Sequence, residues 1–446
     1  MKLSRRIQSF MGVAAIILGG TYFTYAWAQT PRKPNVVVIM VDSMGYGDSE
    51  PYGGATEIRT PSLNRLAREG VRLTDGYANG SVCTPTRAAF ITGRYQQRVG
   101  LEWALVKDQN KSAGLSASEM TLAKLVKQGG YATGVFGKWH LGYQPEFGPN
   151  AHGFDEFFGF LDWSVDYYTH KNIDGEPDLY ENAKPVEQTG YMTDLITEHA
   201  VAFIDRHAGE PFFSYVAYNA MVSPIQPPDK PNDIRTRETW NQATRADYVR
   251  MVERVDQGVG SILKALDRNG LARDTLVVFT NDHGGQWYSR REPLFHGFGT
   301  AWEGAIRVPY LLRWAGHLPA GTVSHQPIIT MDLTASILAA TSAPAAQGQS
   351  LDGMNVLPLL SGKQPPIERT FFWRIDHQGR RQKAMRKGKW KYISDGGSEM
   401  LFDLEKDISE RHDLNYQRRD LVLEFRKLVA QWEAELARAP PSFVVK

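Results

Sequence analysis

The chain has 446 residues, 42% hydrophobic and 22% charged, enough apolar content for a substantial core in one large or two unequal domains. A formal net charge of +2 gives no global field, so bulk charge does not point to nucleic acid as a partner. With one cysteine, Cys83, an internal disulfide is excluded.

Lys2, Arg5 and Arg6 precede an uncharged run from Phe10 to Ala28, and Ala26-Trp27-Ala28 is a small-x-small cleavage pattern. Residues 1–28 therefore read as a secretory signal peptide, with the body periplasmic or secreted from a bacterium. The alternative is an uncleaved N-terminal membrane anchor, since 19 uncharged residues just reach spanning length. If the segment is removed, no stable membrane association is expected. An exported chain with a single unpaired cysteine singles out Cys83 for a chemical role.

Asn35 to Val41 is a continuous apolar, β-branched run, as in a strand buried on both faces of a parallel sheet. A helix starts at Thr60-Pro61-Ser62, with proline at its first position. Met120 to Lys127 is helical and closes at Gly129-Gly130, and Tyr131 to Phe136 is a strand. Helices over Thr193–His207 and Arg245–Arg268 alternate with strands over Phe212–Tyr218 and Thr275–Thr280. A strand at Pro309–Arg313 and a helix at Met331–Ala340 complete this part. The alternation predicts an α/β domain over residues 34–345, a large, mostly parallel sheet sandwiched by helices, with ligands beyond the strand ends. After the small-residue linker Ala343–Gln349 the pattern changes. Short strands at Phe371–Arg374, Gln382–Arg386 and Trp390–Ser394, then a helix over Arg418–Arg438, predict a small antiparallel α+β subdomain over residues 346–446.

Polar residues gather where strands end. Asp42 leaves the first strand toward Ser43-Met44-Gly45, and Asp282-His283 follows the strand at Thr275–Thr280. Either segment alone reads equally as a turn cap, but together they suggest a divalent-cation site built from two strand ends. Lys138 and His140 follow a third strand, and if that strand continues its period of two puts both on one side. That pairs a fixed cation with a titratable base, as an anionic substrate and a nucleophile require. Cys83 lies at an expected helix N-terminus, with Arg87 one turn in, and both features favour an anionic group at position 83.

Cys83-Thr84-Pro85-Thr86-Arg87, continuing Ala88-Ala89-Phe90-Ile91-Thr92-Gly93-Arg94, resembles the signature of the formylglycine-dependent sulfatases of the alkaline phosphatase superfamily, arylsulfatases among them. Val41-Asp42, Gly137 to Gly142, Gly153 to Gly159, Asn281 to Gly284, Trp302 to Pro309, Trp390-Lys391-Tyr392 and Leu401 to Leu404 match the same family in order, over residues 34–415. The resemblance implies an alkaline phosphatase-like fold. It implies that a maturation enzyme oxidises Cys83 to formylglycine, whose hydrate attacks the sulfur of an aryl or carbohydrate sulfate ester. It further implies that Arg87 stabilises residue 83, that Lys138 contacts the diol and the sulfate, and that His140 takes a proton from the diol. Asp42, Cys83, Asp282 and His283 would hold Ca2+, with Mg2+ as the alternative.

Three positions depart from the family pattern. Ser43 replaces a second carboxylate, Val222 stands where a histidine commonly protonates the leaving alcohol, and Phe298 stands where a lysine usually binds sulfate. His296, and after it His170 and His152, are the candidates to fill in, with His296 placed at the substrate. These departures keep two other functions open: a phosphodiester or phosphonate monoester hydrolase of the same superfamily, and a degenerate protein that binds a sulfated ligand without turnover. The aromatic run Phe157 to Tyr168, with Trp103, Trp287 and Tyr288, could line a sugar or aryl site or simply pack the core.

Overall fold

Strand β1 (Asn35–Val41) is buried along its whole length, as its unbroken apolar run requires. Its side chains divide by the period of two. Val37, Ile39 and Val41 enter one hydrophobic cluster, while Val36, Val38 and Met40 enter another on the opposite face. The computed structural model describes residues 32–53 and 56–437, so the expected signal segment lies outside the described residues.

Further strands are β2 (Val71–Leu73), β3 (Ala132–Lys138), β4 (Glu156–Phe160), β5 (Phe212–Ala217), β6 (Thr275–Asn281) and β7 (Tyr310–Arg313). They form a ten-stranded sheet with the short strands Thr322–Ser324, Tyr180–Glu181 and Lys184–Pro185 at its margins. Its centre runs β2, β7, β6, β1, β5, β3, β4. All of these neighbours pair in parallel except β7, which lies antiparallel to both β6 and β2. The sheet is thus mixed and mostly parallel, as expected. Helices α1 (Cys83–Thr92), α2 (Met192–Arg206) and α3 (Arg245–Arg268) cover it, α1 on one face and α2 with α3 on the other. Thr244 and Asp247 form a reciprocal capping box at the start of α3, which fixes its first residue where the sequence places it.

The C-terminal sheet has four antiparallel strands: β8 (Thr370–His377), β9 (Arg380–Lys387), β10 (Trp390–Asp395) and β11 (Ser398–Asp403). Only three were expected, because Ser398-Glu399-Met400-Leu401 lacks clear alternation. Helix α4 (Arg419–Ala437) buries Val422, Phe425 and Val429 against Met385, Tyr392 and Leu401. The other face of the sheet places Phe371, Trp373 and Ile393 against Tyr77, Ala89 and Trp302 of the α/β body. The Lys391 ammonium crosses this junction, 2.8 Å from Glu303 and 3.1 Å from Glu410, with all three side chains fully buried. The Trp373 indole donates to the Ala78 carbonyl at 2.9 Å, five residues before Cys83. The small sheet thereby braces the segment that carries the cysteine.

Candidate active site

Parallel register brings the two aspartates together. Val41 of β1 is level with Asn281 of β6, so the next residues, Asp42 and Asp282, leave the sheet side by side. Ala217 of β5 is level with both Met40 of β1 and Gly137 of β3, which puts Lys138 at the same edge. The strand reaches two residues further than Phe136 and ends at Lys138. His140 is therefore not placed by strand periodicity as expected; a left-handed backbone (φ 55°) turns it.

Cys83 is the first residue of α1, as the sequence implies. Its Sγ lies 3.3 Å from His283 Nε2 and 3.8 Å from Asp42 Oδ1. Arg87, one turn on, donates to Asp282 Oδ2 through Nη2 at 2.9 Å and Nε at 3.1 Å. It also reaches Asp42 Oδ2 at 3.3 Å and the Lys138 carbonyl at 2.9 Å. The Lys138 ammonium donates to Asp42 Oδ2 at 2.5 Å. Ser43 turns its hydroxyl onto Asp42 Oδ1 at 2.9 Å, where it orients the carboxylate. All these side chains are buried.

The charges set the protonation. Burial alone would raise the Asp42 carboxyl, but Lys138, then His283 and Arg87, hold it well below the usual carboxylate range. Burial and the neighbouring Asp42 charge raise Asp282. Burial disfavours charge on His283, yet Asp282, Cys83 and Asp42 outweigh it and its pKa stands well above 6.5. The same ring donates from Nδ1 to the Gly284 carbonyl at 2.9 Å, so Nε2 is the atom turned to Cys83 and the carboxylates.

Ligand atoms of Asp42, Cys83, Asp282 and His283 all lie within 4.8 Å of one another. Asp282 Oδ1 is buried without a hydrogen-bond partner, an expensive arrangement unless another group meets it. Two carboxylates, an imidazole nitrogen and the atom at position 83 fit a divalent cation, which would replace the proton on His283.

Of this cluster Cys83 lines a cleft of about 460 Å³, and His140 lines it too. His140 Nε2 donates to the Leu105 carbonyl at 2.9 Å, and its Nδ1 has no partner. Burial, then the Lys138 charge, hold His140 well below 6.5, so Nδ1 carries a lone pair. Val222 and Phe298, two of the departures, line the cleft, and so does His296. The Phe298 ring meets His283 edge-on, with centroids 4.8 Å apart.

Two histidine candidates fall away. His152 is buried against Trp139 with Nε2 on the Leu115 carbonyl, and His170 is bound to the Gly190 carbonyl; neither lines the cleft. Of the aromatic run, Trp163 lines the cleft, while Phe158, Phe160 and Tyr167 pack the core. Trp287 joins the cleft, but Trp103 stacks on His377 beside another cavity and Tyr288 packs against the core. Trp240 and Arg291, also in the lining, carried no sequence signal because long loops deliver them.

The family model of sulfatases matches residues 34–343, and one described as N-sulphoglucosamine sulphohydrolase, C-terminal, matches residues 295–438. Human N-acetylgalactosamine-6-sulfatase is 34% identical over 373 residues, covering 78% of this chain and 69% of the relative. Mouse arylsulfatase J is 33% identical over 340 residues, covering 74% of this chain and 56% of the relative. Among solved structures, Ps i-CgsB superposes with a TM-score of 0.83 at 33% identity, covering 90% of this chain and 93% of that one. A phosphonate monoester hydrolase of Agrobacterium radiobacter shares the fold at a TM-score of 0.65 and 20% identity, covering 90% of this chain and 96% of that one. Similarity of this extent, over an alkaline phosphatase-like sheet, makes the chain a member of the sulfatase family, whose members are sulfuric ester hydrolases.

Proposed function

We propose that the protein hydrolyses the sulfate ester of a carbohydrate or aryl alcohol, with formylglycine at position 83 as its nucleophile. The observation that carries this reading is the position of Cys83, at a helix N-terminus in a buried cluster of Asp42, Asp282, His283, Arg87 and Lys138, yet open to the His140 cleft. A buried structural thiol needs no such surroundings. Family membership and the oligosaccharide complex of Ps i-CgsB, solved with k-i-k-neocarrahexaose at 32% identity, support a sulfated glycan as substrate.

A maturation enzyme, with an external two-electron oxidant, would oxidise the Cys83 side chain to an aldehyde with its sulfur lost as sulfide, and the aldehyde hydrates to a geminal diol. One hydroxyl gives its proton to solvent as its oxygen attacks sulfur, the bond from sulfur to the alcohol oxygen breaks, and the alcohol leaves with a proton taken from solvent. The second hydroxyl passes its proton to His140 Nδ1, the carbonyl re-forms, and sulfate leaves with the electrons of its bond to carbon. His140 is built for this step because Leu105 fixes its tautomer and burial keeps it neutral. Arg87 fixes the two carboxylates, and Lys138 holds positive charge beside residue 83. Asp42, residue 83, Asp282 and His283 would hold a divalent cation, Ca2+ ahead of Mg2+, which supplies positive charge against sulfate oxygens when bound.

Export to the periplasm or beyond belongs to the same reading and rests on residues 1–28. The test is turnover by protein made together with a maturation enzyme. Release of sulfate from an aryl or sugar sulfate, well ahead of turnover of an aryl phosphonate or phosphodiester, is expected. Preference for the phosphorus esters, or turnover of none by protein carrying the aldehyde, would overturn it.

A further inference from the structure

The walls of the cleft contain an unmatched cation. Among the described residues that line it, Arg291 is the one permanently charged side chain, and none is an aspartate or glutamate. The Arg291 guanidinium has no hydrogen bond or ion pair with any described residue, whereas its neighbour Arg290 pairs with Glu57 at 3.1 Å. A guanidinium with five donors beside an apolar wall is held there at the expense of hydration, and an oxyanion is its natural partner.

The backbone makes room for it. A Cβ on Gly297 would stand 2.3 Å from Arg291 Nη1 and 3.0 Å from its Cδ. Glycine at 297 thus leaves the slot in which the arginine lies, on the cleft wall one residue from Phe298. The slot is also positive as a whole. After burial, Arg291, then Arg380, lowers the pKa of exposed His296, with only Asp395 among its main influences acting the other way.

Depth decides what Arg291 would bind. Residue 83 and the cluster around it are almost wholly buried. Arg291 is half-buried, beside exposed His296 and beside Trp287, which is 58% exposed. The Arg291 side chain is therefore more open to solvent than residue 83, beside which the reacting sulfur would sit. An anionic group that reaches it is a different part of the same substrate.

We infer that Arg291, in the slot left by Gly297, is a specificity-determining residue that binds a second oxyanion of the substrate, a further sulfate ester or a carboxylate. The inference rests on the sulfatase reading above and narrows its substrate to doubly anionic glycans. Trp163 and Trp287 would bracket the sugar between the two anions.

The test uses two disaccharides identical but for one group, the first with a single sulfate ester and the second with an added sulfate or carboxylate. Loss of a charge-assisted contact should raise KM of R291A for the second by about ten- to a hundredfold, with kcat and the first substrate little changed. R291K, which keeps the charge without the planar fork, should fall between. G297A, which pushes the guanidinium aside without removing it, should reproduce the substrate-dependent loss. Melting temperatures equal to the parent's establish folding of each variant. An equal loss on both substrates would overturn the inference and assign Arg291 to the reacting sulfate, and no loss on either would overturn it outright. If the parent enzyme turns over neither disaccharide, the sulfatase reading fails, and equilibrium dialysis of the same pair still decides. Tighter retention of the doubly anionic sugar, abolished in R291A, supports the role of Arg291, and equal retention contradicts it.

Discussion

His140 donates through Nε2 to the Leu105 carbonyl at 2.9 Å, which leaves its Nδ1 as an unpartnered, buried lone pair. A carbonyl oxygen only accepts, so this one contact fixes the tautomer. H140A should lower kcat by about a hundred- to ten-thousandfold with little change in KM, the range for removal of a general base. The neutral ring is the active form and its pKa lies well below 6.5, so it stays neutral as pH falls through 6.5. A pH profile of kcat should show no acidic limb centred near 6.5; such a limb, absent from H140A, would contradict the assignment.

Calcium should stabilise the folded protein. A ligand at a hundredfold excess over its Kd adds about 2.7 kcal/mol, readable as a rise in Tm. D282N should abolish that rise, because Asp282 Oδ1 is a buried carboxylate oxygen with no hydrogen-bond donor, met only by His283 Nε2 at 3.5 Å. Binding should also release a proton, since His283 is held protonated by its carboxylate neighbours until a cation displaces it. Calorimetry in buffers of different ionisation enthalpy measures that proton directly.

Val222 lines the cleft and has no proton to give a leaving alcohol. Turnover should fall steeply as the leaving alcohol becomes more basic across a series of substituted phenyl sulfates. V222H should flatten that slope most at the basic end. A slope already flat in the parent would mean that another group supplies the proton.

Lys391 separates two buried carboxylates, Glu303 and Glu410, at the junction of the two sheets. K391M leaves those charges facing each other and should cost about 3–5 kcal/mol, as removal of one partner from a buried ionic network does. Urea unfolding monitored by tryptophan fluorescence checks it. Residual structure in one sheet after the other has melted would show that Lys391 couples them.

Much of the site was legible because strand ends are legible. The apolar runs before Asp42 and Asp282 define two parallel strands, and equal register does the rest. Cys83 and Arg87 were legible because a helix fixes residues four apart on one face. In the sequence, strand periodicity puts His140 beside Lys138, but the left-handed turn after Lys138 that sets its orientation has no periodic signature. His152 and His170 look equally reactive as letters, and only the carbonyls they bind identify them as structural. Arg291 and Trp240 reach the cleft from loops, where neither period two nor period 3.6 applies. The strand Ser398–Asp403 escaped for a related reason, since cross-strand pairing with Trp390–Asp395 compensates for its weak alternation.

The proposed hydrolysis depends on the chemical identity of residue 83. Mass spectrometry of the peptide spanning Cys83, from protein made in its native host or together with a maturation enzyme and active on a sulfate ester, tests it most directly. The expected mass at that position is that of an aldehyde or its hydrate, with turnover proportional to the fraction converted. An unmodified thiol in protein that still hydrolyses the ester would contradict it.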